Sequence, residues 1–320
     1  MNIPAHLEYP GGITAVDTAY GRPRFDAAHL IVEQGRAAFV DSGVSPSVPL
    51  LLAALEAKGL GRDQVDYLFV THVHLDHAGG AGALLAQLPN AKVVVHPRGA
   101  PHLVDPAKLI AGTRAVYGEE RYNALYGEIV PVPRERLLIT EDGQRLLLAG
   151  RPFEFIFTPG HALHHHCIVD LDHGGVFTGD TFGLSYREFD VDGRAFVLAT
   201  TTPTQFDPEQ MRASLARIVA YAPRALFLTH YGRVTDVARH HAELLIDLDA
   251  YVAVARTAVA KHGPGQAAVQ AITAAIFAHL EARLEAHGDT HSAAERQAIL
   301  GVDVELNAQG LEFWLGRNAN

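Results

Sequence analysis

Four side chains able to ligate a metal fall within six positions of one another, as His72, His74, Asp76 and His77 in Thr71-His72-Val73-His74-Leu75-Asp76-His77. Further candidates follow in their own short strings: His161 in Thr158-Pro159-Gly160-His161, Asp180 in Val176-Phe177-Thr178-Gly179-Asp180, and His230 in Ala225-Leu226-Phe227-Leu228-Thr229-His230. Imidazole and carboxylate donors without thiolate suit zinc, iron or manganese. The spacing has a physical meaning. Residues two apart on a strand or extended loop point the same way, and on a helix they do not. His72 and His74 can therefore grip one ion side by side, while Asp76 and His77, a step later where the chain turns, can face a second.

The elements that must present these side chains are legible around them. Asp66 to Thr71 is a short apolar run of strand type. Ala78-Gly79-Gly80-Ala81 is a turn without bulk, and a helix is expected over 82–88. Strands are expected at 13–19, 28–33, 36–41, 92–96, 136–140, 144–149, 153–158, 167–171 and 174–178, with a further one delivering His230. Each downstream candidate then sits just past a strand end. Ser45-Pro46 reads as the cap and first turn of a helix running to Lys58. Residues 99–135 are mostly helical, and Tyr117, Tyr122 and Tyr126 in them are read as packing residues. The stretch 181–205 is loop-rich, and Asp207-Pro208 opens a helix that ends before Pro223. Beyond 235 the apolar residues recur at threes and fours, with a break at Gly263-Pro264-Gly265 and a capping box at Ser292 to Glu295. The chain is thus expected to divide into 1–235 and an all-helical extension, 236–320, packing on it or forming a homodimer contact.

The ligand strings resemble the metallo-β-lactamase fold superfamily, whose HxHxDH motif stands here as His72-Val73-His74-Leu75-Asp76-His77. The resemblance covers about residues 11 to 235. It implies an α/β fold, a four-layer αββα sandwich carrying the C-terminal helical extension. It also implies that His72, His74 and His161 hold one ion, that Asp76, His77 and His230 hold the other, and that Asp180 bridges them. Asp41, in Ala38-Phe39-Val40-Asp41-Ser42-Gly43, matches an early motif of the family and is given a structural role near the site. His165 matches a position that orients a ligand. The implied activity is that of a dinuclear metal-dependent hydrolase, zinc first and iron or manganese as alternatives. Its metal-bridging hydroxide would cleave an ester, thioester, lactone or phosphodiester bond in a small substrate. Asp76 is the candidate proton acceptor, and Tyr186 and Tyr231 are candidates for binding a developing oxyanion. The alternative is a metal-containing binding or regulatory protein acting through the helical extension.

Departures from the family narrow the substrate. The main zinc β-lactamases carry cysteine where Asp180 stands, diiron flavoprotein oxidases carry glutamate at the place of His74, and acyl-homoserine lactonases carry tyrosine where Gly183 stands. Thr158-Pro159-Gly160-His161 is shared with glyoxalase-II-like thioesterases, without their basic substrate-binding residues. Composition argues against other classes. With 48% hydrophobic and 19% charged residues and a formal charge of −10, the chain is a well-packed globule without the basic surface a nucleic acid needs. The single cysteine, Cys167, rules out an internal disulfide and is read as a small buried residue. The first residues lack a basic segment and an apolar core, and no run reaches membrane-spanning length, so a cytoplasmic protein without leader or anchor is expected. Of the remaining histidines, His240 and His241 are expected on a helix surface and His96 in the core.

Overall fold

Apolar runs bounded by turns become strands in two mixed sheets. The computed structural model describes residues 6–201 and 204–318; the leader reading of the first five residues and positions 202–203 of the loop-rich stretch lie outside them. The first sheet runs in the order β1 (His6–Tyr9), β2 (Ile13–Asp17), β3 (Ala27–Glu33), β4 (Arg36–Val40), β5 (Val65–Phe69), β6 (Lys92–Val95) and β7 (Leu137–Ile139). It is antiparallel as far as β4 and parallel from β4 to β7. The second sheet comprises β8 (Gln144–Leu148), β9 (Arg151–Phe157), β10 (His166–Asp170), β11 (Gly175–Gly179), β12 (Ala225–Leu228) and β13 (Gly232–Val234), spatially in the reverse of that order. Within it only β11 and β12 are parallel.

The two-residue period of the strands explains why the central runs are apolar throughout. Phe39, Leu68, Val93 and Val95 pack against Leu51 and Leu55 of α1 (Val48–Ala57). Their neighbours Val40, Phe69 and Val94 point the other way, onto Phe153, Phe155, Ile168 and Phe177 of the second sheet. Between β5 and β6 lie α2 (Leu75–Ala78), which holds part of the histidine cluster, and α3 (Ala81–Leu85), whose Leu84 and Leu85 join the α1 side. The segment 99–135 is helical as expected, as α4 (Ala100–Val104), α5 (Ala107–Tyr117) and α6 (Glu119–Leu125). Its tyrosines pack with Tyr20, Val44 and Leu75.

Strands and sheets form one compact unit, Met1–Phe157 with His164–Gly179 and Tyr221–Val234. A second unit comprises Thr158–Leu163, Asp180–Ala220 and Thr235–Asn320. It contains α7 (Pro208–Ala220), α8 (Val237–His262), α9 (Gln266–His287) and α10 (Ala293–Asn318), the last three being the expected helices beyond residue 235. Two mixed sheets with their helices, then a helical extension, are the fold class the sequence implied. Buried polar side chains tie the second unit together. Asp247 of α8 accepts from His279 at 2.7 Å, from Arg283 at 2.5 Å and from the amide of Ala199 at 3.1 Å. Asn307 of α10 accepts from the Thr201 amide at 2.6 Å. The capping box at the start of α10 is present, with the Ser292 hydroxyl and amide both donating to Glu295.

Several local expectations are corrected. Ser45 does not cap α1; its hydroxyl donates to the carbonyls of Gly79 and Glu128, and the helix starts after a short turn at Ser45–Ser47. His240 is buried rather than exposed, because its ring pairs with Glu243 at 3.2 Å. β1 and β13 were not foreseen. Cys167 is buried, and His96 lies in the core, its imidazole pushed down to about 4 chiefly by burial. Among the described residues no helix is long and apolar enough to cross a membrane.

One core residue makes stability depend on acid. His29 of β3 faces the second sheet, edge-on to Phe177 and Phe227 at 5.4 and 5.7 Å. Burial pushes its imidazole down to about 3. Below about pH 6.5 the unfolded chain takes up a proton that the folded chain refuses, so stability falls as pH drops from 6.5 towards 3. Urea unfolding at pH 7 and pH 5 is expected to show wild type losing about 2 kcal/mol more than His29→Leu over that interval. Equal losses would remove His29 as the cause.

Candidate metal centre

The site is assembled at strand ends. β5 stops at Phe69, and the next amide, Val70, still donates to Val94 at 3.0 Å, so the chain leaves the sheet in register. Thr71 is then held on both sides: its amide donates to Asp41 Oδ1 at 2.8 Å, and its carbonyl accepts from the His166 amide at 2.9 Å. From that anchor His72 and His74 emerge together, as the two-residue spacing demanded. Their rings lie 4.4 Å apart, with His72 Nε2 2.8 Å from His74 Nδ1. Two ring nitrogens approach so closely only around a shared proton or a shared cation.

The chain then turns into α2, which carries Asp76 and His77. Asp76, His77 and His230 each offer a ligand atom, all within 4.8 Å of one another. His77 Nε2 and His230 Nε2 stand 3.9 and 3.6 Å from Asp76 Oδ2. Donors at ordinary bonding distance around one tetrahedral ion are roughly 3.3–3.6 Å apart, so the spacing fits an ion-sized gap. The far side of each ring is also engaged. His77 Nδ1 is 2.9 Å from Asp41 Oδ2, and His230 Nδ1 is 2.7 Å from the carbonyl oxygen of Phe25. Donation by Nδ1–H to an oxygen places the lone pair on Nε2, the tautomer that binds a metal.

Asp41 is the common support. It is 1% exposed and has a backbone φ of +59°, a left-handed conformation that non-glycine residues seldom adopt. Its carboxylate accepts from the Thr71 amide and hydroxyl, from His77 Nδ1 and from the Thr229 hydroxyl at 3.1 Å. The threonines preceding His72 and His230 therefore join two strand ends to one carboxylate. His165 is fully buried and stacks on His72 at 4.9 Å. Gly179, at φ +48°, leaves room for it, since a Cβ there would come 2.6 Å from His165 Nε2.

In the second unit, His161 and Asp180 are neighbours, with His161 Nε2 3.3 Å from Asp180 Oδ2. Gly160 precedes His161 where a Cβ would strike the Met211 backbone. The two tyrosines nominated as oxyanion donors are both buried. Tyr186 is fully buried and donates to Asp303 Oδ2 at 2.9 Å. The ring of Tyr231 packs with Ala15 and Ala27 in a small core cluster. Sequence reasoning did not single out Phe25, whose role is played by its backbone carbonyl, or Asp26. Asp26 is completely buried, accepts from the Thr18 hydroxyl at 2.9 Å, and is pushed up to about 7 by burial, against the pull of His230 and His77. No local spacing marks either residue.

Comparison with known proteins identifies relatives of the chain. A family model described as the metallo-beta-lactamase superfamily matches residues 21–230. The metallo-beta-lactamase fold-containing protein ST1585 of Sulfurisphaera tokodaii is 28% identical over 217 residues, 67% of this chain and 75% of that protein. The crystal structure of ST1585 matches with a TM-score of 0.65 at 23% identity, covering 94% of this chain and 98% of that one. A hydroxyacylglutathione hydrolase of Aeromonas hydrophila is 30% identical over 192 residues, 60% of this chain and 55% of that enzyme. An atrochrysone carboxyl ACP thioesterase of Aspergillus fumigatus is 29% identical over 131 residues, 41% of this chain and 31% of its own length. The chain thus spans about half of the Aeromonas enzyme and about a third of the Aspergillus one.

Proposed function

The chain belongs to the metallo-β-lactamase superfamily, and from that membership we propose that it is a two-ion metal-dependent hydrolase of small substrates carrying an ester, thioester, lactone or phosphodiester bond. The observation that carries this reading is the matched pair His77 and His230. Both rings have Nδ1 engaged by an oxygen, and both direct Nε2 towards Asp76. A histidine cluster that served only packing would not need two tautomers set the same way.

In this reading His72, His74 and His161 hold the first ion, Asp76, His77 and His230 the second, and Asp180 lies between them. The donors fit zinc first and iron or manganese as alternatives, being imidazole and carboxylate without thiolate. Two divalent ions there would polarise the scissile group and bring a water's pKa towards neutrality. The chain's own residues supply the rest. Asp41 and the Phe25 carbonyl keep the rings of His77 and His230 in the ligating tautomer, and the Thr71 and Thr229 hydroxyls keep Asp41 in place. Asp76, whose side chain is 22% exposed beside fully buried His77, is the carboxylate positioned to take a proton from the incoming water. Thioesters lead the substrate order because one relative is a thioesterase by name.

A panel of thioesters, lactones, carboxylic esters and phosphodiesters is expected to reveal turnover that disappears on chelation and returns with zinc, manganese or iron. Turnover that survives verified removal of metal would contradict the reading. So would a reconstituted protein inert on every class.

A further inference from the structure

Two tyrosines from segments 106 residues apart meet beside the Asp76 half of the site. Tyr20 and Tyr126 bring their hydroxyls to 2.7 Å, with the side chains 5% and 2% exposed. They share a cluster with Leu75, the residue before Asp76, and with Val44 and Tyr122. Tyr20 also packs on Phe25 at 5.8 Å, and the Phe25 ring meets His230 edge-on at 5.1 Å. The segment following Tyr126 runs along the motif, because the Glu128 carbonyl accepts from Ser45, which also donates to Gly79.

A pair of hydroxyls has two protons, and only one lies between the oxygens. The other must find an acceptor, because a buried O–H left unpaired costs about 1–3 kcal/mol. Among the described residues neither hydroxyl has a second partner. We propose that the Tyr20–Tyr126 pair is a hydrogen-bond donor to the substrate, holding the carbonyl or leaving-group oxygen of an acyl substrate on the Asp76 side of the site. The inference rests on the hydrolase reading above. Both phenols stay protonated in this setting, pushed well above their ordinary value by burial first and by the Asp76 carboxylate among lesser causes. Their partly buried neighbours Phe25, Ile110 and Ile129 keep the surroundings apolar, where a hydrogen bond is stronger than in water.

The test uses Tyr20→Phe, Tyr126→Phe and the double variant, each of which keeps the ring and removes only a hydroxyl. Butyrate binding to the metal-loaded protein is measured by calorimetry, alongside metal content and melting temperature. Either single variant is expected to bind butyrate about tenfold more weakly, with metal content unchanged. The double variant is expected to be no weaker than the singles, because the two hydroxyls act as one donor. On a turned-over substrate, kcat/KM is expected to fall about 100-fold. Butyrate affinity within twofold of wild type would overturn the proposal, as would no butyrate binding to wild type, or a loss that merely follows loss of metal. The hydrolase reading fails separately, on absence of turnover by wild type.

Discussion

Replacing His230 by alanine is expected to leave a folded protein that holds one ion where wild type holds two, and to lower kcat/KM by at least about 100-fold. The direction follows from Asp76, His77 and His230 forming, among the described residues, one group within mutual reach. Without His230 that ion keeps Asp76, His77 and only a share of Asp180, which weakens its hold. The magnitude follows from the several kcal/mol that a Lewis-acidic ion contributes to a charged transition state. Folding should survive because the Nδ1 partner of the ring is a backbone carbonyl, that of Phe25, which can turn to water. Metal content by elemental analysis and turnover on the best substrate check the two parts. His173→Ala, at a half-exposed ring paired with Asp170, serves as the control and should change neither. Unaltered stoichiometry in His230→Ala would remove His230 from the ligand set.

The second large effect is expected at Asp41, and two substitutions separate its roles. Asp41→Ala strands the Thr71 amide, two threonine hydroxyls and the His77 Nδ1–H in a site with almost no solvent. Breaking a buried, fully bonded carboxylate of this kind costs about 3–5 kcal/mol, which should appear as a melting temperature lower by about 10 °C. Asp41→Asn keeps the shape and one acceptor oxygen, so the melting temperature should move much less. It opposes an amide N–H to His77 Nδ1–H, however, and the ring loses the partner that sets its tautomer. Metal affinity is then expected to fall about 10- to 100-fold. Measured by competition with a chelating dye, an affinity equal to wild type would show that His77 is oriented by something other than Asp41.

How much of this could be read without coordinates depended on range. The candidate cluster at 72–77 was legible because its spacing is local: a strand-type run, two histidines on alternate positions, then a turn. The runs before His161, Asp180 and His230 were legible as short apolar stretches, and all three became strands of the second sheet. The helices beyond 235 showed in their period and in the Ser292–Glu295 box. What escaped was set by tertiary contact. β13 is three residues long and exists through its register with β12, so no periodicity could announce it. His240 looks like a surface histidine until Glu243 one turn on is seen to pair with it. Tyr231, next to His230, and Tyr186, six after Asp180, were chosen by position in sequence, which does not say what a ring packs against. One ring entered a core cluster and the other met Asp303. Tyr20 and Tyr126 each look like ordinary packing, and only their meeting across 106 positions makes them a donor pair.

Elemental metal analysis of untagged protein, purified without chelators, tests the two-ion centre most directly. Close to two ions per chain is the predicted result, falling close to one in His230→Ala. One ion or none, persisting after reconstitution with zinc, manganese and iron, would contradict the dinuclear hydrolase.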